Sequence, residues 1–212
     1  MNKRDGLTIT SEGGQHLLKA AKEGWGGIIV TSHIGNYEIS AIAFKKYGLK
    51  LMIMMGEKEA NQVARQQRES LEKREIIIHV SSTEEPSPLG GIEALNFLRD
   101  GGFVSIAGDI VWTDQRSLCS VRLLGHEVKI PSAPFLLGLI SGSPVFALFT
   151  FRIGKGNHRI VISPLPRIIA SSRTDRIAAI QASAQEYASA LEKAVRSHPH
   201  QWYVFEPIFG VD

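Results

Sequence analysis

The sequence predicts an α/β fold: a mixed, mostly parallel sheet flanked by helices. Two observations carry this. Short apolar runs of strand length alternate with longer stretches of helical periodicity. Gly and Pro punctuate the chain evenly, with no long linker, internal repeat or low-complexity tract. Strand–helix alternation of this kind buries parallel strands beneath crossover helices. One domain over residues 1–212 suits the length.

In chain order, SEGGQHLLKAAKEG sets Leu17, Leu18 and Ala21 on one helical face, with Gly24 as a stop. GGIIVTS is a short buried strand, and NYEISAIAFKKYG a helix closing at Gly48. KLMIMM is a second strand. EANQVARQQRESLEKR is a polar helix whose charges suit a solvated face. EIIIHV is the third strand, GGIEALNFLRDGG a helix, and FVSIAG a fourth strand ending at Asp109. SVRLLGHEVKI turns through Gly125 as a hairpin. PSAPFLLGLISG is an apolar helix with Pro131 and Pro134 near its start. PVFALFTFRIG and HRIVISPLP are further strands, and RTDRIAAIQASAQEYASALEKAVRSHP is the C-terminal helix. The hairpin and the late strand pair predict that part of the sheet is antiparallel.

Composition narrows the function classes. The single cysteine, Cys119, excludes an intrachain disulfide and a cysteine metal cluster, and it reads as a packing residue. The histidines show no metal-ligand spacing, His198 and His200 about Pro199 included. No apolar stretch reaches 18 residues, and MNKRDGLTIT has no apolar signal core. The net charge of +3 is mildly basic and suits an acidic partner. A P-loop, a GxGxxG and an interleaved basic–aromatic stripe are all missing, so nucleic acid is not an expected partner.

Chemistry concentrates in TSHIGNYEIS, Thr31 to Ser40, where polar residues crowd the end of a buried strand. His33 and Glu38 are five apart. On one continuous helix that spacing is roughly 500°, which leaves the two about 140° apart and on different faces. With His33 in a loop and the helix beginning near Asn36, Glu38 falls in the first turn, where its charge is favoured. Gly35 gives the loop its freedom, and the carboxylate can fold back toward the imidazole. A histidine oriented by a carboxylate is the standard arrangement of a general base near neutral pH. The plainer reading is a loop histidine and a helix-terminal glutamate without catalysis. Ligands in open α/β sheets lie beyond the carboxyl ends of strands. His33 and Asp109 both stand just past a strand, so both can open onto one rim.

HIGNYE fits the His-x4-Asp/Glu motif of the glycerolipid acyltransferase superfamily, and GGIIVTSHIGNYEISA resembles the bacterial lipid A late acyltransferases in particular. GGFVSIAGDIVW resembles that family's strand followed by Gly-Asp. VRLLGHEVKIPSAPFLLGLISGSPVFALFTFRIG resembles its apolar helix and the strand ending near Arg, and QWYVFEPIF its Gln-Trp block. The resemblance runs from about Gly24 to Phe209.

The resemblance implies a glycerolipid-acyltransferase-like fold. It also implies transfer of a fatty acyl group from an acyl carrier protein or CoA thioester to a hydroxyl of a lipid or glycolipid. His33 would be the base and Glu38 its orienting partner, with no acyl-enzyme, which agrees with the missing Gly-x-Ser-x-Gly elbow. Backbone N–H groups near Gly35 and Asn36, or the Asn36 side chain, would hold the oxyanion. Asp109 and Arg152 would complete substrate binding. Asp109 as a loop cap and Arg152 as a structural ion-pair partner stay open beside those roles. No cofactor and no metal are implied, the acyl thioester being a co-substrate.

A membrane surface is an implied partner, with the chain peripheral on the cytoplasmic face of the bacterial inner membrane. Family members carry an N-terminal anchor and extra helices before the histidine motif, which this chain is expected to lack. Where the family often places Arg after Gly-Asp, this chain has Ile110, with Arg116 or Arg122 as substitutes. Lys155, Arg159 and Arg167 make the Arg152 neighbourhood basic. Trp202, Tyr203, Phe205 and Phe209 read as packing residues, or as contacts to an acyl chain or membrane. The competing reading is an inactive or truncated module of the same fold that binds acyl lipid or carrier protein.

Overall fold

A computed structural model describes residues 7–56, 60, 61, 69, 71, 73, 75–81, 89–111, 117–205 and 208. The strands are β1 Thr8–Glu12, β2 Gly27–Thr31, β3 Leu51–Gly56, β4 Ile77–Ser81, β5 Phe103–Ala107, β6 Leu118–Leu123, β7 His126–Pro131, β8 Val145–Gly154 and β9 Asn157–Pro164. The helices are α1 Gly14–Lys22, α2 Tyr37–Lys46, α3 Leu89–Arg99, α4 Ala133–Ser141 and α5 Arg173–Ser197. A short 3-10 turn, Pro199–Gln201, comes after α5.

Seven strands form one sheet in the order β1-β9-β8-β2-β5-β3-β4. All its pairings are parallel except β8 with β9. This is the mostly parallel α/β sheet that the alternation of elements predicts. Period-2 alternation sends Ile28 and Val30 to one face of β2 and Ile29 to the other. On the first face they join Ala94 and Leu98 of α3, Phe135 of α4, and Tyr187 and Leu191 of α5. On the second, Ile29 joins Leu17 of α1 and Ile39 and Phe44 of α2. Both faces of the central strands are thus covered, which is why their sequences read as continuous apolar runs.

Two expectations change. The β6–β7 hairpin forms but stands apart as its own two-stranded sheet, so β8–β9 alone supplies the antiparallel part of the main sheet. The hairpin's inward residues Cys119, Val121, Leu123, Val128 and Ile130 pack into the α5 side of the core instead. Strand β1 is an addition: TITSE carries no apolar run because it is an exposed edge strand, paired only with β9. The polar helix expected over residues 59–74 lies largely outside the described residues. Among the described residues, no helix is long and apolar enough to cross a membrane.

The topology fixes where a site can lie. β2 and β5 are parallel neighbours, with Thr31 in register with Ala107. The segments that leave these two strands therefore emerge at the same end of the sheet.

Candidate functional site

After β2, the chain turns through Ser32–Asn36 and enters α2. Asn36 caps the helix, its side-chain oxygen accepting the Glu38 N–H at 2.8 Å. Gly35 sits at φ 68°, and a Cβ there would overlap the Thr150 carbonyl oxygen of β8. Only glycine lets the loop lie this close to the strand.

The loop is fixed from the far end of the chain. The Gly35 N–H donates to the Gln201 carbonyl at 2.9 Å, and the Tyr203 N–H donates to the His33 carbonyl at 2.9 Å. Between them Ile34 and Trp202 form an antiparallel bridge. Gln201 also grips the end of β8. Its side-chain oxygen accepts the Arg152 N–H at 2.8 Å, and its side-chain nitrogen donates to the Arg152 carbonyl at 3.0 Å. The Gln-Trp-Tyr segment is thus a strap across the histidine loop and β8.

His33 meets Asp109 at the shared end of β2 and β5. Asp109 Oδ1 lies 2.8 Å from His33 Nδ1. Oδ2 accepts the His33 backbone N–H at 2.8 Å and the Trp202 indole N–H at 2.9 Å. The Asp109 side chain is fully buried, while that of His33 is 28% exposed. Three donors hold the carboxylate in one orientation, and burial without them would be expensive. As an ionised carboxylate Asp109 only accepts, so the network puts the shared proton on Nδ1 and the ring's lone pair on Nε2.

A second layer supports this arrangement. The Tyr187 hydroxyl donates to the Thr31 carbonyl at 2.7 Å, and the Gly108 N–H donates to the same oxygen at 2.9 Å. Burial, and secondarily the Asp109 charge, push the Tyr187 phenol well above its ordinary range, so it remains a donor. Gly108 has no room for a side chain: a Cβ would press into Val30 and the Tyr187 ring.

The sequence-predicted residues therefore separate. His33 and Asp109 come together. Glu38 was expected on the imidazole, but the carboxylate bonded to Nδ1 is that of Asp109. Glu38 lies half-buried in the first turn of α2. The Gly35 N–H, expected as an oxyanion donor, is already given to Gln201. Asn36 is exposed, with its oxygen committed to the helix cap. Arg152 stands exposed on the same rim, its backbone held by Gln201. Desolvation, and then the Arg152 charge, lower the pKa of the facing His158. Arg116 lies outside the described residues, and Arg122 belongs to the hairpin. The sequence reading missed the positioning roles of Trp202, Gln201 and Tyr187. The Gln-Trp block carried the one usable signal for the first two.

Comparison with known proteins adds one match. The family described as bacterial lipid A biosynthesis acyltransferase matches residues 5–210. No curated protein matches the chain.

Proposed function

Because the chain belongs to the bacterial lipid A biosynthesis acyltransferase family, an acyltransferase family acting on lipid, we propose a specific reaction for it. A fatty acyl group passes from the thioester of an acyl carrier protein or CoA to a hydroxyl of a lipid or glycolipid. His33 is the general base and Asp109 the carboxylate that orients it. The observation that carries this reading is the 2.8 Å contact between His33 Nδ1 and Asp109 Oδ1, with Oδ2 held by two further donors.

The steps derive from the tautomer. Nε2 accepts the proton of the acceptor hydroxyl as its oxygen attacks the thioester carbonyl. Asp109 stabilises the imidazolium so formed, as in other carboxylate–histidine pairs. The new C–O bond pushes the carbonyl electrons onto oxygen. Collapse restores C=O and breaks C–S, and the leaving thiolate takes the proton back from His33. The products are an ester and a free thiol. No cofactor and no acyl-enzyme enter the cycle.

The oxyanion needs donors, and the Asn36 side-chain amide supplies one, since the Gly35 N–H serves the strap. Arg152 offers a planar fork to a phosphate or carboxylate of either substrate. Glu38 stays at the site's edge as a secondary carboxylate. The reaction is placed at the cytoplasmic face of a bacterial inner membrane, with the lipid acceptor presented by that surface.

The test is transfer from acyl carrier protein or acyl-CoA to a membrane lipid extract, with wild type beside His33→Ala. We expect the variant to lose about a hundredfold or more. Equal rates would remove His33 from the chemistry. A wild type silent with both donors would replace catalysis with lipid binding by the same fold.

A further inference from the structure

The rim around His33 carries large apolar side chains that the fold leaves in water. Phe205 is 91% exposed, Tyr203 51% and Ile153 51%. Isolated exposed hydrophobics are ordinary, but a group of them on adjoining elements marks an interaction surface. These three belong to adjoining elements. Ile153 lies at the end of β8, next to the strand that delivers His33. Tyr203 donates its N–H to the His33 carbonyl, and Phe205 comes two residues later.

Ile153 is turned outward by a defined device. The β8–β9 register slips between Arg152, which faces His158, and Gly154, which faces Asn157. Ile153 is the extra residue of that bulge. Bulges beside sites re-aim side chains in this way.

Cations flank the apolar group. Arg152 precedes Ile153, and Lys155 lies just beyond it, both exposed. Among the described residues neither makes an ion pair. Arg152 faces His158 across the β8–β9 pair, where desolvation, and then the Arg152 charge, lower the His158 pKa.

We propose that Ile153, Tyr203 and Phe205, with Arg152 and Lys155, seat the chain on an anionic lipid surface at the mouth of the His33 site. Aromatic and aliphatic side chains enter the interfacial layer, where Tyr is favoured. The two cations meet lipid phosphates. An acceptor hydroxyl at the headgroup level is then delivered to His33 without leaving the surface. The purpose of the seat rests on the acyl-transfer reading. Its geometry does not.

The experiment uses the double variant Ile153→Ser/Phe205→Ser, neither residue being part of the dyad. Binding is measured by co-sedimentation with vesicles of phosphatidylglycerol and phosphatidylcholine, and with phosphatidylcholine alone. Turnover is measured with acceptor lipid in vesicles and, separately, dispersed in detergent. Wild type should prefer the anionic vesicles, and the variant should bind them about tenfold less or weaker still. Turnover of vesicle acceptor should fall in parallel, with detergent-dispersed turnover unchanged. His33→Ala should do the reverse, binding vesicles normally without turnover, so failure of the seat and failure of the dyad give different patterns. Wild-type binding indifferent to anionic lipid, or a variant that binds as wild type does, overturns the seat. So does a variant that loses an acidic acyl carrier protein while keeping the vesicles, which would assign the rim to that protein.

Discussion

Asp109 has two oxygens in unequal surroundings, and that asymmetry predicts the effect of Asp109→Asn. Two N–H groups, from the His33 backbone and the Trp202 indole, point at Oδ2. An asparagine must keep its oxygen there, which turns its NH2 toward Nδ1. Nδ1 then has to accept, the ring proton moves to Nε2, and the proposed base is lost with little change of shape. We expect a rate loss on the order of a thousandfold or more, with a circular dichroism spectrum like wild type. Glu38→Gln, assayed beside it, should lose less. The opposite ranking would return the orienting role to Glu38. At Gly35, substitution by Ala faces both the positive φ of 68° and the Thr150 carbonyl. A cost of about 1–3 kcal/mol in denaturant unfolding is expected, together with weaker turnover.

At this scale the sequence showed where chemistry would gather but not which carboxylate would serve it. His33 and Glu38 share a short motif, whereas the His33–Asp109 contact spans 76 residues. Nothing in one sequence says that β2 and β5 are neighbours.

At the scale of elements, α5 does more than cover the sheet. Gln181 donates its side-chain amide to the Ser120 carbonyl of β6. Gln185 accepts the Arg122 N–H at 2.9 Å and donates to the Arg122 carbonyl at 3.0 Å. Glu192 accepts the Leu124 N–H at 2.7 Å. Four helical residues advance about 6 Å, and two strand residues about 6.6 Å. Amides at i and i+4 on the helix therefore meet alternate residues of the strand. The edge of the hairpin, which would otherwise offer itself to another strand, is closed by side chains. Gln185→Ala should cost about 1 kcal/mol, since water partly replaces the lost bonds at this half-buried position. It should also speed amide exchange at Arg122, and unchanged exchange there would argue against the ladder.

The elements were the most legible part of the sequence, because their signal is local. The apolar runs of β2, β3 and β5 and the long pattern of α5 appear where the periodicity puts them. β1 escaped because an exposed edge strand needs no apolar face, and the hairpin's separate sheet results from packing that no local pattern encodes.

For the whole molecule, the charge state of the fold sets its acid side. His158 has a lowered pKa in the fold, from desolvation and then from Arg152. The unfolded chain binds that proton more readily, so its share of stability is complete above the ordinary histidine value, about 6.5, and is lost as pH falls below it. Glu192 is also lowered, by the Leu124 N–H and by Arg196. Its share is present above the ordinary glutamate range and lost further into acid. Urea midpoints should therefore fall from pH 7 toward pH 5 and again below the glutamate range. His158→Gln should flatten the first fall alone.

The strap made by Gln201, Trp202 and Tyr203 has a consequence in time. The Trp202–Asp109 bond closes a separation of 93 residues, and the histidine loop is pinned by the same segment. Contacts of such long range form only after much of the chain is in place. The helices and the central strands can be native while the imidazole is still unaligned. On refolding, acyl transfer should return no earlier than the native Trp202 fluorescence and later than the helical signal. A nascent chain not yet extended through Trp202 would then hold the proposed dyad without its strap, so that the site gains its alignment only once that segment is in place.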